Sequence, residues 1–139
     1  MNDTEILKPK PRLSTLEMPF WDGCNEHRLM IQHCTACSKS VFYPRACCPY
    51  CHADALQWIQ ASGRGKVISH TTVRRTHHDG FNKEAPYVFA AIELQEGPCI
   101  YGQLIGAPTE GPSLVQAKVE VCFVEHRQGQ KLAAFTLNP

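Results

Sequence analysis

Cysteine is the residue with the most chemistry to offer in this chain. Five of the eight cysteines fall within the nineteen residues HCTACSKSVFYPRACCPYC, from His33 to Cys51. Two C-x-x-C pairs can be drawn from them: Cys34-Thr-Ala-Cys37, and Cys48-Pro-Tyr-Cys51, because Cys47 lies one residue too far from Cys51. Such a turn lets two thiolates converge on one ion while backbone N–H groups point back at the sulfurs. Two facing turns close a tetrahedron, with Zn–S distances of about 2.3 Å. Ten residues separate the pairs. The expected ligand set is therefore Cys34, Cys37, Cys48 and Cys51. Zinc suits four thiolates in a closed, redox-silent site, and iron is the alternative metal. Reduced thiols without metal are the plainer reading. Cys47 falls outside the set, and His33 and His52 flank it as neighbours able to substitute. Four thiolates leave no position open for water. The metal's work would then be to fold a segment too small to bury its own core, not to hydrolyse a substrate.

The rest of the chain offers little to a catalyst. Of the seven histidines, His70 falls mid-strand, His77 and His78 in a loop, and His126 beside the last turn; Cys99 opens a strand and Cys122 lies on a mostly polar face. No spacing ties a thiol to a base, and no Gly-rich phosphate loop, nucleophile elbow or paired-carboxylate pattern occurs. The segment GRGKVISHTTVRRTHHDGFNKEAP sets Arg64, Lys66, Arg74, Arg75 and Lys83 against Asp79 and Glu84. Arg64, Lys66, Arg74 and Arg75 could hold phosphates, of a nucleic acid or of coenzyme A. An ordinary solvated face would look the same. Phe81, Tyr87 and Tyr101 are aromatics near enough to stack bases, although a core would also claim them.

These side chains need a scaffold, and 139 residues with 43% hydrophobic and 19% charged content provide for one domain plus a small appendage. A net charge of +1 counts against a general nucleic-acid binder. No apolar run reaches the roughly 18 residues of a membrane span. The polar, proline-spaced start MNDTEILKPKPRLST lacks a signal-peptide core, so the expected compartment is the cytoplasm, where clustered cysteines hold metal more often than disulfides. Residues 1–18 read as a flexible tail. Pro19 suits a first helical turn, and Phe20, Trp21, Cys24 and His27 recur at helical spacing, which predicts a helix over 19–27 with Gly23 weakening it. Phe20 and Trp21 are large for so short an element and need an intramolecular groove or a partner's surface. Leu29 to Gln32 forms a strand entering the first knuckle, and the metal-binding unit occupies 19–62.

From residue 63 onward the pattern is of strands. KVISHTTVRR, YVFAAIEL, CIYGQLI, LVQAKVEVCFVE and KLAAFTL are five runs joined by turns. In the fourth, Val115, Ala117, Val119, Val121 and Phe123 share one face, with Gln116, Lys118 and Glu120 on the other. Five strands in about 75 residues match a small Greek-key barrel of the OB type. Gly102 would supply the bulge or sharp coil that closing it requires. The fold class is therefore mainly β: a short helix and zinc ribbon, then a five-stranded OB barrel over 63–139.

The order PFWDG, RLMIQHCTAC, FYPRACCPYC, GKVISHTTV resembles, from about Pro19 to the end, the DUF35 proteins, which join a rubredoxin-like zinc ribbon to an OB-fold. The match rests on Phe20-Trp21, the four cysteines, Pro44-Arg45, Gly65-x-Val67, the PYVFAAIEL strand and the FTLNP ending. Ser38 and His52 depart from it, since knuckles often carry glycine there, as does the extra Cys47. The resemblance implies a non-catalytic accessory subunit, assembled with thiolase-like enzymes such as thiolases, aldolases or acyltransferases of phloroglucinol-type aromatics. The partner would supply the catalytic residues and handle an acyl-CoA, and Phe20 and Trp21 would meet it. A single-stranded nucleic-acid module on the OB face is the alternative function, and a stand-alone acyl-CoA carrier or thioesterase a third. Replacing Cys48 with serine (Cys48→Ser) is expected to unfold the ribbon and release metal, whereas Cys47→Ser does neither. Metal content per chain checks it; swapped behaviour would put the ligand register off by one.

Overall fold

The structure, a computed structural model, describes residues 14–77, 79–127 and 129–138. Residues 1–13 of the expected tail, His78 and Pro139 lie outside the described residues. Helix α1 runs Met18–Asn25 with Pro19 in its first turn, where a missing N–H costs nothing. It stops before His27 because the chain reverses there: His27 takes φ 62°, and the Arg28 N–H donates to the Gly23 carbonyl at 2.7 Å. The glycine that weakens the helix on propensity is what permits this return. A Cβ on Gly23 would stand 2.6 Å from the Arg28 carbonyl oxygen and 2.7 Å from Met30 Cγ.

The chain then enters a three-stranded antiparallel sheet of β1 (Met30–Cys34), β2 (Ser40–Val41) and β3 (Leu56–Gln60), in the order β2-β1-β3. The sequence hides β3, since LQWIQ lacks clean alternation. After a three-residue link come β4 (Arg64–Val73), a single helical turn α2 (Asp79–Asn82), β5 (Tyr87–Leu94), β6 (Cys99–Ile105), β7 (Lys118–Arg127) and β8 (Gln130–Leu137). The last five strands close a barrel in the order β4-β5-β6-β8-β7, with β6 and β8 parallel and β7 returning antiparallel to β4. That order is the OB-fold's.

Two features of the barrel differ from the sequence reading. The fourth run starts four residues late, at Lys118, leaving Val115 exposed and Gln116 at φ 73°. The segment ahead of it is instead strapped to β4: Thr72 Oγ1 donates to the Thr109 carbonyl at 2.8 Å, and the Leu114 N–H donates to His70 Nε2 at 3.0 Å. Gly102 does not form a bulge; the irregularities fall between Val67 and Ser69 and between Glu125 and Arg127. Gly102 makes room for Phe135, whose ring would lie 3.2 Å from an added Cβ.

One apolar core serves both units. Leu29, Ile31 and Ala61 of the ribbon pack with Val67, Ile92, Leu104 and Phe135 of the barrel. A smaller cluster of Cys34, Val41 and Cys48 lies inside the ribbon. Gly23→Ala adds about 1 kcal/mol of helix propensity. The clash with a backbone oxygen that cannot rotate away is expected to outweigh it, for a net loss of about 1–3 kcal/mol, read as a lower Tm in thermal unfolding.

Candidate metal centre and aromatic groove

The two C-x-x-C segments fold into the same turn. In the first, the Ser38 N–H donates to the Cys34 carbonyl at 2.8 Å; in the second, the His52 N–H donates to the Cys48 carbonyl at 2.9 Å. Ser38 and His52 take φ 63° and 64°, the left-handed conformation that glycine adopts without strain. The turns aim the sulfurs of Cys34, Cys37, Cys48 and Cys51 at one point, all within 4.8 Å of one another. Cys34 Sγ to Cys51 Sγ and Cys37 Sγ to Cys48 Sγ are each 3.6 Å. A tetrahedron with Zn–S bonds of about 2.3 Å has S–S edges of about 3.8 Å, so the four sulfurs fit zinc. The Tyr50 N–H points at Cys48 Sγ from 3.4 Å. Burial opposes ionisation of the Cys48 thiol. The backbone N–H groups of Cys51 and Tyr50, with the thiols of Cys37 and Cys51, overcome it and hold the thiol down at about 6. Zinc held by these four residues would tie β1 to the second knuckle and keep no position for a substrate.

A residue that spacing could not single out steadies the loop between the knuckles. Gln32 is only 4% exposed, and its amide accepts from the Arg45 N–H at 2.7 Å and donates to the Arg45 carbonyl at 2.9 Å. Cys47 is exposed, beside but outside the sulfur cluster.

Above this loop lies an aromatic groove of about 300 Å³, walled by α1, by Phe42 to Pro44, and by β5, β6 and β8 of the barrel. Phe20 and Trp21 both line it. Phe20 meets Trp21 edge-on at 5.0 Å and Phe42 at 5.4 Å, so part of this apolar surface is satisfied within the chain. Trp21 Nε1 is buried with no hydrogen-bond partner among the described residues. The outer lip remains open: Tyr43 is 49% exposed, Phe89 40% and Tyr101 54%. Phe89 and Tyr101 stack at 6.4 Å and 7° across β5 and β6.

The basic residues are not gathered. Arg64 and Lys66 open β4 and share a shallow depression with Lys118 and Glu93, where Lys66 lies 3.8 Å from Glu93. Arg74 and Arg75 follow the strand's far end, where Arg74 meets Glu110 at 3.5 Å and Arg75 borders a separate depression with Asp79 and Asn82. A strand rises at most about 3.3 Å per residue, so β4 sets the two pairs up to about 30 Å apart, beside separate depressions. The thiols of Cys24, Cys99 and Cys122 are quiet. Burial pushes Cys24 up to about 12 against a backbone hydrogen bond from Ala133, and it raises Cys99 and Cys122 as well. No hydrogen bond joins a thiol to an imidazole among the described residues.

A four-thiolate ribbon fused through a common core to an OB barrel defines a class of protein, and comparison with known proteins agrees. The family model described as "ChsH2, rubredoxin-like zinc ribbon domain" matches residues 21–57, and "ChsH2, C-terminal OB-fold domain" matches residues 58–124. The chain belongs to the DUF35 family. It is 40% identical over 92 residues to a "DUF35 domain-containing scaffold protein" of Methanocaldococcus jannaschii, covering 65% of this chain and 64% of the relative. A scaffold protein of the same description from Methanothermobacter thermautotrophicus is 30% identical over 96 residues, covering 68% and 71%. A "probable enoyl-CoA hydratase alpha subunit" of Thermomonospora curvata is 33% identical over 102 residues, which is 73% of this chain but only 31% of that subunit. Among solved structures, an "Ltp2-ChsH2(DUF35) aldolase" chain aligns with a TM-score of 0.81 and 27% identity, covering 92% of this chain and 98% of that one. A DUF35 protein of unknown function from Sulfolobus solfataricus aligns at 0.61 with 17% identity, covering 90% and 87%, a likeness of fold alone.

At neutral pH, iodoacetamide is expected to label exposed Cys47 in the zinc-loaded protein and to spare Cys24, whose buried thiol stays protonated. Stripping the metal with a chelator should open Cys34, Cys37, Cys48 and Cys51 to labelling, with peptide mapping as the readout.

Proposed function

We propose that this chain is a non-catalytic, zinc-stabilised accessory subunit, a scaffold for a thiolase-like enzyme acting on acyl-CoA or on acylated phloroglucinol-type aromatics. The observation that carries the reading is the alignment of nearly the whole chain with the DUF35 component of an aldolase assembly. A relative described as a hydratase alpha subunit contains a similar stretch within a much longer chain, which also suits a part that works joined to an enzyme. The site chemistry agrees. The four sulfurs converge as a closed centre would require, burial raises the thiols of Cys24, Cys99 and Cys122, and the groove lined by Phe20 and Trp21 presents aromatic surface at its lip. Phe20 and Trp21 anchor the partner in this reading. A coenzyme A thioester would be shared with that partner, its phosphates drawn to Arg64 and Lys66, where Lys118 adds a third cation. Arg74 and Arg75 stand too far away to join them.

Affinity capture of the tagged chain from its native host is expected to return a thiolase-fold enzyme in fixed stoichiometry. Substituting Tyr43 and Tyr101 by alanine should weaken that complex about tenfold or more, as truncating exposed aromatic anchors does. A chain that stays alone, or that turns over acyl-CoA unaided, would contradict the proposal. The stacked, exposed Phe89–Tyr101 pair favours one second reading, since it lies on the face with which OB-folds stack bases. That reading requires single-strand binding that weakens steeply with salt. Fluorescence anisotropy with a labelled oligonucleotide distinguishes it.

A further inference from the structure

Among the described residues the ribbon sheet has two unpaired edges, the two-residue β2 and the longer β3. Strand β3 pairs there with β1 alone, through five consecutive positions from Met30↔Gln60 to Cys34↔Leu56 without a register shift. The flanking hydrogen bonds fix which residues face which way. The Thr35 N–H donates to the Ala55 carbonyl at 3.0 Å, and the Ala61 N–H donates to the Leu29 carbonyl at 2.8 Å. In an antiparallel pair these bonded positions alternate, so Ala55, Gln57, Ile59 and Ala61 turn their backbone groups to β1. Leu56, Trp58 and Gln60 then turn theirs outward. No described residue pairs with that outer side.

Native sheets guard such edges with lysine, proline, bulges or a covering element. Here LQWIQ, flanked by Ala55 and Ala61, has no charge, no proline and no bulge. We propose that this edge pairs with the same edge of a second copy of the chain, antiparallel about a two-fold axis through Trp58. The sequence is its own complement in this arrangement. Leu56 meets Gln60 of the second copy, Trp58 meets its counterpart, and Gln60 meets Leu56. All three outward residues thus fall in positions that exchange two hydrogen bonds per pair. Nothing on the strand carries charge, so no like charges face each other across the axis, and the half-buried Trp58 gains an aromatic cross-strand partner. The product is a continuous sheet in the order β2-β1-β3-β3-β1-β2, with an isologous, closed interface. It uses neither the metal centre nor the aromatic groove, which leaves both available to other partners.

Hydrogen exchange on the full zinc-loaded chain reads the proposal directly. As concentration rises through the range where light scattering shows the mass doubling, the amides of Leu56, Trp58 and Gln60 are expected to slow about tenfold or more. Those of Gln57 and Ile59, already bonded to β1, should hold constant. Gln60→Pro removes one outward N–H at an edge position that tolerates proline, and Trp58→Lys sets two ammonium groups against each other at the axis. Both are expected to remain monomeric with full zinc content. Should Gln60→Pro fail to retain zinc, Trp58→Lys and the alternating amide pattern of the unmodified chain decide. A mass that never doubles, a dimer that survives both substitutions, or outward amides protected only when a partner enzyme is added would each overturn the proposal.

Discussion

Convergence of four sulfurs is the constraint on which the ribbon depends. Its private apolar cluster is Cys34, Val41 and Cys48, with Cys37, Ala55 and Leu56 against it, so half of the packing comes from the ligands themselves. A cluster of that size cannot offset the conformational entropy of ordering the segment, and a metal cross-link supplies what burial does not. The surrounding polar contacts serve the same end. The repeated turns aim the thiols, the Tyr50 N–H and the other thiols favour ionised Cys48, and Gln32 clamps the intervening loop at Arg45. The two knuckles reach this arrangement with Ser38 and His52 in a conformation that costs a side chain about 1 kcal/mol or more. The metal bears that cost along with the rest.

Beyond the ribbon, stability passes to ordinary hydrophobic burial. Phe135, wholly buried, fills the barrel at the point where Gly102 lacks a side chain, and Ile31 and Leu29 extend the same core outward into β1. The loop from Gly106 to Ala117 takes the place of a capping element and is fastened through His70, Thr72 and Val67. The aromatic groove is a by-product of these junctions. It forms where α1, the loop after β2 and the barrel wall meet without filling the space between them.

How far the residues revealed this depended on whether the signal was local. C-x-x-C spacing is local, because four atoms must meet within one turn, and the cysteines come together as their spacing predicts. The apolar runs YVFAAIEL and CIYGQLI, set off by turns, are equally local and mark β5 and β6 to the residue. Alternation misled at Val115, because Leu114 and Ala117 pack inward from a loop and prolong the pattern past the strand's true start. Strand β3 stayed hidden because both its faces are only half-covered, which erases the period. The basic run looked like one cluster because neighbours in sequence were read as neighbours in space, and an extended strand pulls Arg64 and Arg75 apart. Gly102 answers to Phe135 and Gln32 to Arg45, and no short window of sequence contains both halves of such a contact; Gly23 answers to nearby Arg28 and Met30, but through a chain reversal that no periodicity announces.

The common core of Leu29, Ile31 and Ala61 with the barrel has a mechanical consequence. The two units cannot swing about their short link without opening that core, so the molecule behaves as a fixed bracket and not as two beads on a string. Anything gripping the ribbon and anything resting on the barrel is thereby held at a set angle and spacing. A stiff angle piece of this kind transmits the position of one neighbour to another, which a tethered module of the same parts could not do.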